Sequence, residues 1–207
     1  MAELRDAIME AALELFEKHG YHGVSVNDIV KACNTSKGGF YHYFQSKDDL
    51  LFEIHDTFIT YVLEKANHAF EKHERPLDQL YGIIQVFVRV FDIYKPHITV
   101  FYQESNYLKP DYEEEIKEKR DQFRLLLRTV IEEGIQRGEF RKEIPANITV
   151  MSILGMVNWT YKWYRKNGEY SIEDIANIFT DFILHSVVHS SMLGEARTKG
   201  YLLTKDT

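Results

Sequence analysis

The sequence predicts an all-α protein, and three features of the chain support this fold class. Apolar residues recur mostly at the three- and four-residue spacing of an amphipathic helix. Glycines follow several of these periodic stretches, at Gly20, Gly138 and Gly168, where a helix commonly ends. The chain shows neither the strict alternation of a half-buried strand nor the turn signal of a β-hairpin. We therefore expect about nine helices.

The expected helices follow from their apolar faces and from the residues at their ends. The first helix has Leu4, Ile8 and Leu15 on one face. The four prolines of the chain lie at starts or breaks of later helices. The expected ranges are about 2–19, 26–33, 37–43, 47–72, 77–94, 97–108, 111–137, 146–167 and 172–192. Residues after Gly194 are expected to form a loose tail.

The fourth expected helix joins two domains. Residues 1–50 should form a small three-helix domain, and residues 51–207 a larger helical domain. The boundary lies inside a helix rather than in a flexible linker. The connection should therefore be rigid and able to carry motion from one domain to the other.

The charge balance argues against a protein that coats nucleic acid without specificity. The chain carries a formal net charge of −7, whereas non-specific affinity for phosphate favours a basic protein. From Lys31 to Lys47, however, the segment also contains Lys37 and has no acidic residue. A local basic surface is therefore compatible with the acidic total.

The single cysteine, Cys33, permits neither an internal disulfide nor an all-cysteine metal site, which fits a reducing compartment. The first residues mix acids with apolar side chains and lack the apolar centre of a secretory signal. No run is long and apolar enough to cross a bilayer. We therefore expect a soluble, cytoplasmic protein without a membrane partner.

Residues 25–44 have the pattern of a helix-turn-helix. Ser25 can cap the second helix, and Asp28 three residues later completes a weak capping box. Asn34 lies in the turn, where a positive φ is often needed and asparagine tolerates it. Ser36 can cap the third helix. Periodicity alone is equally compatible with a helical hairpin that only packs.

The third helix combines inward-facing rings with a polar outer face. Phe40 and Phe44, four residues apart, should pack inward. Gly38 and Gly39 weaken an exposed helix, which suggests close approach to another surface such as a DNA backbone. Polar residues near this helix can contact phosphates and base edges. The candidate DNA-binding residues are Ser25, Thr35, Ser36, Lys37, Gly38, Tyr41, His42 and Lys47.

Three segments resemble the DNA-binding domain of TetR-family regulators: SVNDI at 25–29, TSKGGFYHYF at 35–44 and SKDDL at 46–50. The resemblance covers about the first fifty residues. Val30 and Cys33-Asn34 depart from the usual small residues and glycine without removing a contact group. The resemblance implies a homodimer that places its third helices in major grooves about 34–36 Å, or a multiple, apart. The operator should then be a near-palindrome.

The eighth expected helix is apolar almost all round from Val150 to Tyr164, which requires cover on every side. Core on one side and a dimer interface on the other is the favoured explanation. Ile175, Phe179 and Phe182 give the ninth helix an apolar face as well. TetR-family regulators commonly dimerise through their last two long helices, so the resemblance implies a homodimer of this kind.

A ligand pocket among aromatic side chains is the alternative to simple core packing. Arg120 falls in line with Ile116 and Phe123, which predicts a buried cation. Its favoured partner is Glu104, and a ligand carboxylate or phosphate is the alternative. Basic residues within 162–166 form a second cluster, either for phosphates or as a solvated helix end. The candidate ligand-binding residues are Phe87, Phe91, Tyr102, Tyr107, Arg120, Phe123, Met151, Trp159 and Trp163.

From Tyr102 to Gly168 the larger domain is similar to C-terminal domains of TetR-type regulators of fatty-acid and sterol breakdown, which sense acyl-CoA thioesters. The resemblance implies a repressor that a small apolar effector, a fatty acyl-CoA, releases from the operator. The alternative within the family is a repressor of an efflux pump that senses hydrophobic drugs. The alternative outside it is a helical dimeric interaction protein without DNA binding.

The sequence does not favour an enzyme, a cofactor or a metal site. It lacks a Walker-type phosphate loop, a nucleophile elbow and a zinc-protease helix motif. Asp181, His185 and His189 share one helix face, but the first and last are two turns apart and cannot readily hold one ion. A surface or interface stripe is therefore the favoured explanation for these three residues.

Overall fold

The computed structural model describes residues 2–204. Within this range the chain is helical apart from turns and one isolated antiparallel bridge between Phe140 and Val188, which confirms the all-α class. The α-helices are α1 (Ala2–His19), α2 (Val26–Ala32), α3 (Lys37–Tyr43), α4 (Lys47–Lys72), α5 (Pro76–Ile93), α6 (Lys95–Gln103), α7 (Pro110–Gln136), α8 (Ala146–Asn158), α9 (Thr160–Trp163), α10 (Ile172–Val187) and α11 (Leu193–Thr198). The 3₁₀ turns are η1 (Ser105–Tyr107) and η2 (Ser190–Met192).

The largest differences from the expected boundaries lie in the later helices. The sixth expected helix divides at Glu104, whose ψ of 5° ends α6 before η1 begins. The eighth divides into α8 and α9, and α9 ends where Tyr164 becomes extended with a ψ of 135°. The ninth ends at Val187 instead of near residue 192. The reason is the bridge, in which the N–H of His189 donates to the carbonyl oxygen of Glu139 at 2.8 Å.

Two of the three glycines predicted to end helices do so, whereas Gly168 does not, because α9 already ends at Trp163. Gly20 follows α1 with a φ of +69°, and Gly138 follows α7 with a φ of +73°. In both cases glycine adopts the left-handed conformation without the steric penalty of a Cβ atom. The glycine signals therefore marked these ends correctly.

Residues 2–60 and 94–119 form one compact unit. In it, α1, α2 and α3 pack on one another, and α6 packs on α1. Its buried apolar side chains include Ile8, Phe16, Ile29, Phe40, Phe44, Leu50, Leu51, Ile54, Phe58 and Phe101. Besides the three N-terminal helices, the unit thus contains α6, η1 and the first turns of α7.

Residues 61–93 and 120–204 form the second compact unit. Its helices α5 and α10 pack along each other, and α10 also packs on α8. Its buried apolar side chains include Leu80, Ile83, Ile84, Phe87, Val88, Phe91, Phe123, Leu127, Val157, Ile175, Ile183 and Leu184. In the described part of the chain, no helix combines the length and the apolar character needed to cross a membrane.

The prediction of a loose tail after Gly194 is wrong for the residues up to 204. Helix α11 covers Leu193–Thr198, and Leu202 is buried. The ring of Tyr201 stacks on Tyr81 with centroids 3.7 Å apart, and its hydroxyl donates to Asp78 at 2.9 Å. The tail is therefore fixed to α5. The expectation cannot be compared for residues 205–207, which lie outside the described residues.

Candidate nucleic-acid interface

Helix α2 starts at the capping box that the sequence predicts. The Ser25 hydroxyl accepts from the Asp28 N–H at 3.3 Å, and the Asp28 carboxylate accepts from the Ser25 N–H at 2.9 Å. The hydrogen bonds from Ser25 lower the pKa of Asp28. Each partner thus satisfies a backbone donor that the first turn would leave free.

The turn between α2 and α3 has the conformation that its sequence indicates. Asn34 has a φ of +50°, and the following Thr35 N–H donates to the carbonyl oxygen of Val30 at 2.9 Å. Ser36 then caps α3, since its hydroxyl accepts from the Gly39 N–H at 3.1 Å. The two short helices are therefore held at a fixed angle by local hydrogen bonds.

The two glycines of α3 differ in what surrounds them. A Cβ atom on Gly38 would meet only the Ser36 Oγ, at an ordinary 3.6 Å. A Cβ atom on Gly39 would lie 2.5 Å from the Oγ1 of Thr35. The expectation of close approach to an external surface therefore fits Gly38. At position 39 glycine is needed for another reason, because any side chain would clash with Thr35.

The inner face of α3 is formed by rings. Phe40 and Phe44 are fully buried, as predicted, with centroids 5.7 Å apart. The Arg5 guanidinium lies 5.6 Å from the centroid of the Phe44 ring and pairs with Glu53. This packing fixes which side of the helix faces outward.

The outer face of α3 carries four of the eight predicted DNA-binding residues. Lys37, Gly38, Tyr41 and His42 are exposed, and the Tyr41 side chain is 53% exposed. Of the flanking candidates, Ser25 and Ser36 are exposed but use their hydroxyls as caps, and Thr35 is half-buried. The structure thus presents a compact polar surface whose lysine is Lys37.

Lys47 is placed differently from the expected phosphate contact. Its Nζ donates to the carbonyl oxygens of Tyr21 at 2.8 Å and Val24 at 2.7 Å, and lies 4.0 Å from the centroid of the Tyr21 ring. Burial lowers the pKa of this ammonium, against the opposing effect of Asp48. Two of its three N–H donors are therefore used to hold the loop between α1 and α2.

The predicted ligand-binding residues fall into separate groups. Phe87, Phe91 and Phe123 come together in the second unit, where all three are buried and the centroids of Phe87 and Phe123 are 4.7 Å apart. Tyr102 and Tyr107 belong to the first unit. Tyr107 does not lie in an apolar pocket there, because it is 41% exposed and stacks on Tyr21 with centroids 5.8 Å apart.

The remaining candidates, on α7, α8 and α9, are exposed. Met151 is 55%, Trp159 61% and Trp163 43% exposed, and Arg120 is exposed too. The prediction that Arg120 is a buried cation is therefore wrong, and it needs no buried anionic partner. Its helical position was correct, but periodicity assumes that the apolar face is covered along the whole helix, and at Arg120 it is not.

Two surface grooves lie in the second unit. One, of about 480 Å³, runs between α7 and α8 and is lined by Asp121, Arg124, Leu125, Arg128, Asn147, Val150 and Met151. The other, of about 230 Å³, runs between α8 and α10 and is lined by Ile144, Thr149, Ser152, Ile153, Met156, Phe182, Ile183, Ser186 and Val187. The first groove is lined by charged residues of both signs, while the second is lined mainly by apolar side chains and carries hydroxyl groups but no charge.

The prediction that Asp181, His185 and His189 share one helix face is wrong for His189, because α10 ends at Val187 and His189 caps η2. The Nδ1 of His185 lies 3.3 Å from the Oδ1 of Asp181, and the Nδ1 of His189 accepts from the N–H of Ser191 at 3.3 Å. Within residues 2–204, no three histidine, cysteine or acidic side chains cluster as metal ligands.

Two sequence profiles match the chain. One, described as bacterial regulatory proteins of the tetR family, matches residues 8–54. The other, described as a tetracyclin repressor-like C-terminal domain, matches residues 73–187. The chain belongs to the TetR family. The first profile covers the helix-turn-helix, and the second covers the whole stretch from α5 to α10.

Individual relatives of the TetR family extend over nearly the whole chain. The transcriptional repressor KstR2 of Mycolicibacterium smegmatis is 20% identical over 191 residues, which cover 91% of this chain and 93% of the relative. The TetR-family regulator PfmR of Thermus thermophilus gives a TM-score of 0.81 at 28% identity, with 86% of this chain and 97% of that one covered. AibR, solved with isovaleryl coenzyme A and operator DNA, gives 0.76 at 24% identity, covering 88% and 97%.

Membership of the TetR family confirms the predicted class of protein. The chain is a DNA-binding transcriptional regulator and not an enzyme. The family binds operator DNA, typically as dimers and under the control of small-molecule effectors. The exposed face of α3 is accordingly the candidate operator-binding surface of a TetR domain.

Sequence reasoning missed a set of contacts behind that surface. The Tyr21 hydroxyl donates to Asp48. Burial raises the pKa of this phenol, and the hydrogen bond to Asp48 raises it further. Asp48 also pairs with Lys109 at 2.9 Å. No local pattern indicates these contacts, since the partners are far apart in sequence and each residue type is common on surfaces.

Proposed function

We propose that the protein is a ligand-responsive repressor that binds a near-palindromic operator as a homodimer and is released by a fatty acyl-CoA. In this proposal, residues 1–50 bind DNA, and residues 51–207 bind the effector and form the dimer. The observation that carries the proposal is the exposed polar face of α3, whose opposite face is fixed by two fully buried phenylalanines.

The side chains on this face suit a division of roles in the major groove. Lys37 is an exposed cation at the start of α3 and suits a phosphate, while Tyr41 and His42 can reach base edges or the sugar-phosphate backbone. Gly38 leaves room for close backbone approach. In this proposal Ser25 and Ser36 act by capping the starts of α2 and α3, and Thr35 lies in the turn between the two helices. Lys47 acts in this proposal by holding the loop before α2.

A homodimer through α8 and α10 would cover the exposed apolar side chains of the second unit. On α8 and at its C-cap, Ile148 is 56%, Met151 55% and Trp159 61% exposed, at helical spacing along one face. A Cβ atom on Gly155, on the same face, would meet no neighbour, which leaves space for a partner helix. Phe182 on α10 is 61% exposed. Monomeric proteins rarely leave such a continuous apolar surface in water.

The proposed effector combines an apolar chain with phosphates. The cluster of Phe87, Phe91 and Phe123 suits an apolar chain, and it is closed in this structure. An acyl chain would therefore have to bind a form in which these rings have separated. Arg124 and Arg128, on the surface of the same unit, suit an anionic head group better than a cationic drug, although they would first have to leave the acids on α7 with which they pair, Asp121 and Glu132. AibR, which shares the fold, was solved with isovaleryl coenzyme A.

Release from DNA follows from population shift. An effector that binds only the opened form draws molecules away from the form that fits the operator. Its effect on operator affinity is set by its differential affinity for the two forms. A ligand that binds both forms equally would leave the operator complex unchanged.

The proposal is tested by mobility shift with the full chain. DNA fragments flanking its own gene are the first probes, followed by selection from a random pool if none binds. Long-chain acyl-CoA should raise the dissociation constant for the selected operator, whereas free fatty acid and CoA alone serve as matched controls. The DNA-binding part fails if no double-stranded DNA is selected. The effector part fails if acyl-CoA neither releases DNA nor raises the melting temperature.

A further inference from the structure

The segment Tyr94–Lys119 folds with the DNA-binding helices, although it follows α5 of the second unit in sequence. Tyr107, in η1, makes the central contacts. Its ring stacks on Tyr21 with centroids 5.8 Å apart and an interplanar angle of 18°, and meets the His22 ring edge-on at 4.2 Å. Tyr21 and His22 belong to the loop between α1 and α2. The segment is therefore docked directly on the DNA-binding domain.

A charged contact lies next to this stack. The Nζ of Lys109 is 2.9 Å from the Oδ2 of Asp48, in the first turn of α4. Asp48 also accepts from the Tyr21 hydroxyl. These two hydrogen bonds lower the pKa of Asp48, so its carboxylate is charged at neutral pH and joins α4, the α1–α2 loop and the segment.

Helix α7 then continues along α4. The ring of Tyr112 stacks on Phe52 with centroids 4.5 Å apart. Further along, Lys119 pairs with Asp56 and donates to the hydroxyl of Thr60 at 2.9 Å. The contacts form a continuous seam from the first turn of α4 to its residue 60.

Tyr21 connects this seam to the recognition helix. The Nζ of Lys47 lies over the Tyr21 ring and donates to the carbonyl oxygen of Val24. Val24 directly precedes Ser25, the cap of α2, and α2 packs on α3. A shift of Tyr107 or Lys109 would therefore displace Tyr21 and, with it, the start of α2.

We propose that Tyr107 and Lys109 are positioning residues that determine which spacing of operator half-sites the protein accepts. The inference rests on the proposed binding of a two-half-site operator by a dimer. Neither side chain belongs to the outer face of α3, so neither reads a base in this proposal. Both fix the angle of α2 and α3 against α4 and α7, the two helices that continue into residues of the second unit.

Half-site spacing is a demanding geometric requirement. One base pair shifts a half-site by about 3.4 Å along the axis and turns it by about 34–36°. A firmly docked recognition helix cannot move and rotate enough to reach a half-site displaced in this way. Once the seam is loosened, α2 and α3 can make part of that movement and rotation. The base preference within each half-site should stay the same, because the outer face of α3 is unaltered.

The test compares operators that differ only at their centre. The selected operator is lengthened or shortened by one and two base pairs, and each version is titrated by mobility shift. Each inserted or deleted base pair should cost the unaltered protein at least about tenfold in affinity, comparable to a mismatched base pair. For Tyr107→Ala and Lys109→Ala the same change should cost less than about threefold. Tyr107→Phe and Lys109→Arg, which keep the ring and the charge, should restore the steep dependence.

The controls separate this role from a general loss of structure. Lys117→Ala alters an exposed lysine on the same helix that pairs with Glu114 one turn away, and it should keep the steep dependence. Each variant is checked for its melting temperature and for its base preference within a half-site. If Tyr107→Ala and Lys109→Ala keep the steep spacing dependence, or weaken all operators in parallel, the inference is wrong. If the unaltered protein selects no operator, the proposed function fails instead.

Discussion

The hydroxyl of Thr35 occupies the space that a Cβ atom on Gly39 would need, since the two atoms would lie only 2.5 Å apart. Thr35 is at the end of the turn between α2 and α3, and Gly39 is in the first turn of α3. With the turn in this conformation, position 39 of the recognition helix therefore has no room for a side chain. The contact also distinguishes two adjacent glycines that look alike in sequence.

Substitution of these two glycines should give opposite results. Gly39→Ala should lower the free energy of unfolding by about 1–3 kcal/mol, because the turn or the helix must shift. Gly38→Ala should raise it by up to about 1 kcal/mol, because alanine favours the helix and its Cβ meets only ordinary contacts. Urea denaturation measures both. If Gly38 approaches the DNA backbone, Gly38→Ala should still weaken operator binding in a mobility shift. Equal affinity would contradict that approach.

Lys37, at the start of α3, and Lys47, at the start of α4, should have different roles. Lys37→Ala should reduce the slope of log affinity against log salt concentration by about one, because an exposed phosphate contact is lost. Lys47→Ala should leave the slope nearly unchanged. It should lower the free energy of unfolding by about 1–2 kcal/mol, because the carbonyl oxygens of Tyr21 and Val24 lose their donor. If Lys47→Ala instead reduces this slope by a full unit, Lys47 contacts a phosphate directly, as the sequence first predicted.

The parts of the site that the sequence predicted correctly are those whose cause is local. Ser25 and Asp28 are three residues apart, and Phe40 and Phe44 are four apart, so one turn of helix brings each pair together. The left-handed Asn34 follows from its own backbone preference. These three features were enough to predict α2, the turn and the inner face of α3.

The parts that were missed depend on distant partners. Tyr107 was assigned to a ligand pocket because it is aromatic, yet its ring stacks on Tyr21 of the DNA-binding domain. The tail was expected to be loose because chain ends often are, yet Tyr201 contacts Asp78, 123 residues away. Periodicity shows which face of a helix is apolar. It does not show what covers that face, and this explains the error at Arg120.

Acid should weaken the seam between α4 and α7 through Asp48. The hydrogen bonds from Tyr21 and Lys109 hold its folded pKa below the ordinary 3.8. The group therefore stabilises the fold fully above its unfolded pKa, and this contribution is lost as the pH falls through the folded pKa. Tyr21→Phe should remove the larger part of the effect and Lys109→Ala the smaller part. Urea denaturation between pH 2 and pH 7 measures it by comparison with the unaltered protein.

One result of this pH series would contradict the role of Asp48. If Asp48→Asn, Tyr21→Phe and the unaltered protein lose stability in parallel between pH 4 and pH 2, the carboxylate does not carry the effect. Asp48→Asn keeps an acceptor for the Tyr21 hydroxyl, so it isolates the charge from the hydrogen bond.

A charge placed on the exposed face of α10 should separate the proposed dimer. Phe182 is 61% exposed and lines the apolar groove between α8 and α10, so a partner helix would bury it. Phe182→Glu would place an unpaired carboxylate there, which should weaken the dimer at least about thirtyfold. Tyr170→Glu is the matched control, because Tyr170 is an equally accessible ring in the loop before α10, 52% exposed. Light scattering coupled to gel filtration measures the mass of each variant.

If Phe182→Glu remains as dimeric as the control at micromolar concentration, α10 does not form the interface. If it becomes a folded monomer with weakened operator binding, the spacing of the two recognition helices depends on this face.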